Sequence, residues 1–264
     1  VSSLDDPYSE MLENSDSETF NEKVDGEYVG IGATVQYDGE HVSIIEISKL
    51  SPAEKAGLKV NDELLEVDGK SILNMELSKI SNLIKGKSGT NVKLKIKRDE
   101  KEEEITIKRG KVVIPSVSSK VIKKNDKKVG YISIGIFSAN TAKQFEKHLK
   151  KLESKNIDSL IIDVRSNPGG HLLQVTDIIE LFTKKNQVIY RIEKKNVVKK
   201  IKDKTTTSRD YDIVVLINSE SASASEILAS AMKETYKAKL VGTTTYGKGS
   251  VQTAYTLESG ATLK

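Results

Sequence analysis

The chain has 264 residues, no cysteine, and 42 basic against 38 acidic side chains, for a net charge of +4. Its length supports two domains with separate cores, and the near-neutral balance argues against a dedicated nucleic-acid binder. The missing thiols exclude cysteine catalysis, cysteine-ligated metal and disulfides, and the scattered His41, His148 and His171 have none of the spacings a metal site needs.

Residues 1–26 are polar and acidic, and DDPYSEMLENSD reads as a turn and then a short helix. The chain opens at VSSLDDPYSE without a methionine and stops at GATLK inside what reads as a strand, so it reads as a trimmed piece of a longer protein. No signal peptide is visible, and no apolar run approaches the ~18 residues of a membrane span. From Tyr28 the texture changes to short strands (VGIGATVQY, HVSIIEIS, NDELLEVDG, VKLKIKRD, EEITIKRG), with Met75, Ile80, Leu83 and Ile84 at mostly helical spacing between them. Residues 27–110 thus form a small, mostly β domain. In 111–264 the order alternates: GYISIGIF is a strand, and TAKQFEKHLKKLESK is a helix burying Ala142, Phe145, Leu149 and Leu152. SLIIDVR is a strand, LLQVTDIIELF a helix, and YDIVVLIN a strand. SASASEILASAMKETY is a helix and AKLVG a strand. Alternation with two-sided apolar strands predicts an α/β layer with a largely parallel sheet. The basic run Lys184 to Arg209 reads as a charged hairpin inserted in that layer.

In the small domain, LSPAEKAGLKVNDELLEVDGKSI resembles the PDZ pattern, in which S-P-A-x-x-A-G-L leads into an acidic turn, a buried strand and V-D-G. Tyr28, Val29, Gly30, Ile31 and Gly32 then match the place of the PDZ carboxylate-binding loop. Glycines let backbone N–H groups converge on a terminal carboxylate, and the following strand can accept a peptide by strand addition. Asn61 stands where that family usually has glycine, and asparagine tolerates the left-handed backbone such a turn requires.

Three short patterns compete for the chemistry. LVGTTTYGKGSVQ, with Gly242 and then Gly247-Lys248, comes close to a phosphate-binding loop. It lacks the Ser or Thr after the lysine, and SVQTAYTL beyond it reads as a strand instead of a helix. Ser230 to Lys233 is an S-x-x-K whose companion motifs fall in the wrong chain order. Ser223 and Glu226 form an S-x-x-E capping box after a buried strand. The same position gives a serine nucleophile the N–H groups and partial positive charge of a helix N-terminus. With no histidine in a companion motif, its base would be a lysine. An unperturbed lysine is neutral in only about one molecule in 2,500 at pH 7, so burial must lower its pKa by roughly three units, about 4 kcal/mol. On a strand after the Gly-rich turn, Lys248, Ser250 and Gln252 would share one face, and Gln252 could orient Lys248.

Taken together these motifs resemble the C-terminal processing (tail-specific) proteases, which join a PDZ domain to a protease core with a Ser–Lys dyad. Ser221 to Ile227 matches the family's S-A-S-A-S-E-I, and Gly247 to Gln252 matches its G-K-G-x-x-Q. Asp163 to Gly170 matches D-x-R-x-N-P-G-G, and DDPYS resembles the segment ahead of the PDZ domain. The resemblance implies Ser223 as nucleophile, Lys248 as base and Gln252 as its orienter. It implies an oxyanion hole from the N–H of Ala224 with that of Gly169 or Gly170. It implies a serine endopeptidase acting outside the cytoplasm on the C-terminal regions of unfolded or membrane-proximal polypeptides, needing no metal or cofactor. It leaves room for a homo-oligomer and for a PDZ domain that gates the site. His171, where the family more often has a small or apolar residue, reads as a wall residue. Two other classes fit parts of the pattern: a PDZ adaptor with a silent protease-like layer whose basic hairpin docks on an anionic surface, and, by fold analogy alone, an acyl-CoA enzyme.

Overall fold

The computed structural model describes residues 8–194, 197–206 and 208–264, apart from the side chains of 14 and 15. Asp5, Asp6 and Pro7 of the DDPYS segment lie outside the described residues. After β1 (Met11–Leu12), helix α1 (Asn14–Asp25) ends at Gly26, whose φ of +69° closes the last turn through its N–H on Glu22 O, 2.9 Å.

The chain divides into two units, one of Glu27–Ile114 and one that joins the N-terminal segment to Pro115–Lys264. The first contains β2 (Glu27–Gly30), β3 (Ala33–Tyr37), β4 (Val42–Ile47), α2 (Pro52–Lys55), β5 (Glu63–Val67) and β6 (Lys70–Ser71). It continues with α3 (Leu77–Ile84), β7 (Asn91–Arg98), β8 (Lys101–Lys108) and β9 (Gly110–Val113). Strands β2 and β9 pair antiparallel, and the larger sheet runs β3-β4-β5-β7-β8, so β3 is an edge strand. The S-P-A run folds as read: Ser51 Oγ accepts the Glu54 N–H at 3.2 Å and Pro52 opens α2. Asn61 takes φ +73° in the turn before β5. Alternation along β7 turns Val92, Leu94 and Ile96 inward, where they pack with Ile44, Leu64 and Ile80.

The second unit adds β10 (Val117–Lys124), β11 (Lys127–Ile134), α4 (Thr141–Glu153), β12 (Ser159–Asp163), α5 (Leu172–Glu180), β13 (Val188–Lys194) and β14 (Val197–Lys202). It ends with β15 (Asp212–Ile217), α6 (Ala224–Ala231), a π-helical turn (Met232–Tyr236), β16 (Lys239–Gly242), β17 (Tyr255–Thr256) and β18 (Thr262–Leu263). The main sheet, ordered β10-β11-β12-β15-β16, is mixed. The expected parallel sheet holds for the pairings β11–β12, β12–β15 and β15–β16, whereas β10 folds back on β11 as an antiparallel hairpin. Asn125 and Asp126, both at positive φ, form its two-residue turn, and no crossover helix separates the strands. Helix α4 buries Phe145, Leu149 and Leu152, one stripe at helical spacing, against this sheet. Among the described residues no helix is long and apolar enough to cross a membrane.

A polar cluster anchors the end of α4. Arg209 Nε donates to Glu153 Oε1 at 2.5 Å, its Nη1 donates to Leu181 O, and the Tyr211 hydroxyl reaches Glu153 Oε1 at 2.9 Å. Burial pushes the Glu153 carboxyl up, but Arg209 and Tyr211 outweigh it and hold the group below the ordinary glutamate value. Removing the guanidinium strands a partly buried carboxylate. Arg209→Ala is expected to cost about 2–3 kcal/mol in denaturant unfolding at neutral pH. The difference from the parent should narrow as pH falls through the folded pKa of Glu153, because protonation dissolves the pair in the parent too.

Candidate active site

Three serines of the motif at the head of α6 have different surroundings. Ser221 is fully buried, donating to Val164 O at 2.8 Å and receiving the Asn218 N–H at 3.0 Å. Ser225 is also fully buried and donates to Asn167 O at 2.9 Å. Both hydroxyls are engaged in holding the turn. Ser223 is half-buried, lines a large cleft, and has φ +55° with ψ −114°, a backbone region that suits glycine. Holding a serine there costs about 1–3 kcal/mol.

The loop after β12 packs against this turn. Asn167, fully buried, donates Nδ2 to Ile134 O at 2.9 Å and accepts the Gly169 N–H on Oδ1 at 2.9 Å. Its carbonyl accepts the Ala222 N–H at 3.1 Å. A Cβ on Gly169 would lie 2.8 Å from Ala222 O, and one on Gly170 would lie 2.3 Å from Phe137 O, so both positions need glycine. The amide of Gly169 is therefore committed within the loop. Gly170 bridges Phe137 through its neighbours, Gly169 O and the His171 N–H, which leaves its own N–H outside that bridge. Ala224, first in α6, is one of the amides a helix leaves without an internal acceptor. Of the two glycines weighed as anion donors, the geometry favours Gly170. Upstream, Asp163 accepts Arg165 Nη2 and the Tyr131 hydroxyl, each at 2.6 Å; burial pushes its carboxyl up, and these donors outweigh it and hold it low.

Lys248 lies on the segment after β16. Gly242 ends that strand at φ +140°, where a Cβ would be 1.8 Å from Ile217 O. From there to Ala254 the backbone forms no strand, which corrects the reading of SVQTAYTL as a strand carrying Lys248, Ser250 and Gln252 on one face. The amides of Gly247 and Lys248 bind a side chain in place of a ladder. Glu226 Oε1 accepts the Gly247 N–H at 2.7 Å and the Thr245 hydroxyl at 2.8 Å, and Oε2 accepts the N–H groups of Ser223 at 2.7 Å and Lys248 at 2.9 Å. One carboxylate thus joins the serine turn to the lysine segment. Burial pushes Glu226 up, yet these donors outweigh it and hold it below the ordinary glutamate value. The sequence pattern identified Glu226 only as a capping-box partner, and its second set of donors had no local signal.

Lys248 Nζ donates to Gln252 Oε1 at 2.5 Å, so the expected pairing of these two residues forms without the strand. Gln252 Nε2 in turn donates to Tyr8 O at 2.6 Å, and Nζ stands 4.5 Å from the centre of the Tyr8 ring. Tyr8 was not singled out in the sequence. Ser223, Lys248, Gln252, Gly169, Gly170 and His171 line one cleft of about 1740 Å³. That volume exceeds the ~300–1,000 Å³ typical of small-molecule sites and suits a polymer. His171 caps α5 and places Nε2 3.1 Å from Val24 O, a wall position. Among the described residues no cluster of side chains is suited to a metal ion.

In the other unit, Tyr28, Val29 and Gly30 belong to β2, while Ile31 is buried and Gly32, at φ +78°, turns the chain into β3. The Ile31 carbonyl accepts the Ala53 N–H at 2.8 Å, which fixes this turn against α2.

A strained serine at a helix N-terminus, held beside a lysine in a polymer-sized cleft, is an arrangement found in serine-type hydrolases. The family model of peptidase family S41 matches residues 128–264, just over half of the chain, and that of the PDZ domain matches residues 28–108. The chain belongs to peptidase family S41 and carries a PDZ domain. A probable CtpA-like serine protease of Staphylococcus haemolyticus is 40% identical over 267 residues, and the carboxy-terminal processing protease CtpB of Bacillus subtilis is 39% identical over 267 residues. These alignments take in 100% of this chain but 53% and 56% of those proteins, so the chain spans about half the length of these curated relatives. The solved photosystem II D1 C-terminal processing protease shares the fold, with a TM-score of 0.55 at 24% identity over 99% of this chain and 72% of that one. So does a putative S41 protease from Bacteroides fragilis, at 0.56 and 17% over 100% and 74%.

Two variants test the geometry. Glu226→Gln turns one of the two acceptor oxygens into a donor facing two of the four donors, and is expected to lower kcat/KM by about 100-fold with little change in circular dichroism. The parent should lose the same interaction only as pH falls below the ordinary glutamate pKa, about 4.3, because the folded value lies lower. Ser223→Gly relieves the backbone and is expected to raise Tm by a few degrees, ~1 kcal/mol, while abolishing turnover.

Proposed function

We propose that this chain forms the chemical centre of a serine endopeptidase that engages the C-terminal region of unfolded or membrane-proximal polypeptides outside the cytoplasm and cleaves upstream. One observation carries the reading: the Glu226 carboxylate ties the Ser223 and Lys248 amides to the same oxygen, so two segments distant in sequence meet in one cleft. Family membership and the names of the relatives agree with it.

In this reading neutral Lys248 takes the Ser223 hydroxyl proton as Oγ attacks the scissile carbonyl carbon. The oxyanion is met by the N–H groups of Ala224 and Gly170. Collapse of the tetrahedral species breaks the C–N bond, and Lys248 returns the proton to the leaving amine. Water then attacks the serine ester with Lys248 again as base, releasing the carboxylate and restoring the serine. Gln252 holds Nζ in direction, supported by its own bond to Tyr8 O. The PDZ domain captures the substrate's terminal carboxylate at the Gly30–Gly32 turn, with β3 as the strand to which the peptide adds; the edge position of β3 supports this. Through that capture it regulates access to the site.

Digestion of an unstructured protein separates the roles. Ser223→Ala and Lys248→Ala are each expected to lose at least ~1,000-fold in kcat. Lys248→Arg should be equally inactive, because a guanidinium keeps its proton. Cleavage at the parent rate by the alanine variants refutes the dyad.

A further inference from the structure

The ribbon of β13 and β14 is the least explained part of the catalytic unit. Strand β13 contributes Arg191, Ile192 and Lys194 to the wall of the cleft that holds Ser223. Its only ladder partner among the described residues is β14, and β14 carries Lys199, Lys200 and Lys202. All five cations are exposed, and none forms an ion pair with a described residue. The register sets Arg191 directly opposite Lys200. Like charges in directly opposed positions destabilise an antiparallel pair, and the one carboxylate of the ribbon, Glu193, stands opposite Val198 and not opposite either cation. Asp25 of α1 also lines the cleft. The acids nearer the ribbon are Glu193 on β13 and Glu234 on the π-helical turn, while Glu226 is already engaged by four donors.

We infer that the β13–β14 ribbon is a specificity surface for acidic segments of the polypeptide substrate. The inference rests on the endopeptidase reading and adds the chemical class of the chain it selects. An extended peptide laid along β13 alternates its side chains. Carboxylates directed at one face of the ribbon meet the opposed pair Arg191 and Lys200 and relieve its repulsion, and those directed at the other face meet Lys194 and Lys199.

The test uses two fluorescent unstructured peptides of equal length, one with four Asp or Glu residues on the N-terminal side of the cleaved bond and one with Asn or Gln in their place. Binding is measured by anisotropy on the Ser223→Ala chain, and kcat/KM on the active chain. The acidic peptide is expected to bind about tenfold tighter and to be cleaved with a correspondingly lower KM at similar kcat. The preference should fade as salt rises from 50 mM to 500 mM. Arg191→Glu with Lys194→Glu should abolish or reverse the preference, read as the ratio of kcat/KM between the acidic and the neutral peptide. Equal treatment of the two peptides by the parent, or an unchanged preference in the double variant, overturns the inference. Discrimination in binding without cleavage of either peptide supports the acidic surface and removes the endopeptidase reading. Vesicles of phosphatidylglycerol and phosphatidylcholine supply the competing occupant. If the double variant loses only vesicle binding and keeps its peptide preference, the ribbon serves a lipid surface and the inference fails.

Discussion

The bifurcated grip of the Glu226 carboxylate is the constraint on which the rest of the site depends. Ser223 and Lys248 line one cleft, and both sit on segments without regular strand pairing that something else must hold together. Main-chain ladders cannot do this, because the amides of Gly247 and Lys248 have no neighbouring strand. A carboxylate with four acceptor directions can. It does so from the first turn of α6, where a negative charge is also favoured by the helix dipole. Asn167 does the same on the other side of the serine, binding Ile134, Gly169 and Ala222 from a fully buried position.

The sheet explains why these segments converge. The glycine loop follows β12, the serine turn follows β15 and the lysine segment follows β16, so all three leave the carboxyl ends of neighbouring parallel strands. Open α/β sheets place ligands at that edge, where loops emerge side by side. The antiparallel β10 lies at the other side of the sheet and contributes to its stability without touching this arrangement. The glycines at 169, 170 and 242 are what allow such close approach, since a side chain at each would collide with backbone oxygen.

Much of this was legible in the chain before folding. The period of TAKQFEKHLKKLE gave α4 and its buried stripe, the SPAEKAGL run gave α2 and its cap, and the short motifs pointed to Ser223, Lys248 and Gln252. What could not be read was long-range hydrogen bonding. Ser221 and Ser225 look like Ser223 in the motif, and only burial against Val164 and Asn167 distinguishes them. The alternating, β-branched SVQTAYTL looked like one strand because pattern reports what a segment could pair with, whereas only Tyr255 and Thr256 of it find a strand partner, and the amides just before it, Gly247 and Lys248, bind Glu226. The hairpin of β10 and β11 was missed because its turn, Asn125-Asp126, is embedded in a run of lysines. Tyr8 stood in the sequence only within the DDPYS resemblance, which gave it no role; its part is set by a contact 244 positions away, from Gln252 to its carbonyl.

That separation has a temporal meaning. Met11 and Leu12 pair with Leu263 and Thr262, and Ser17 bonds Gly260 O across 243 positions. During synthesis the earlier segment therefore waits for one more than 240 positions downstream before either finds its partner. At ~5–20 residues per second, the interval is on the order of ten seconds or more. For most of that time Lys248 has not been made, and Tyr8 lacks the lysine and glutamine that its ring and carbonyl will meet. A cleft put together in this order stays open on one side until the chain around it is nearly built.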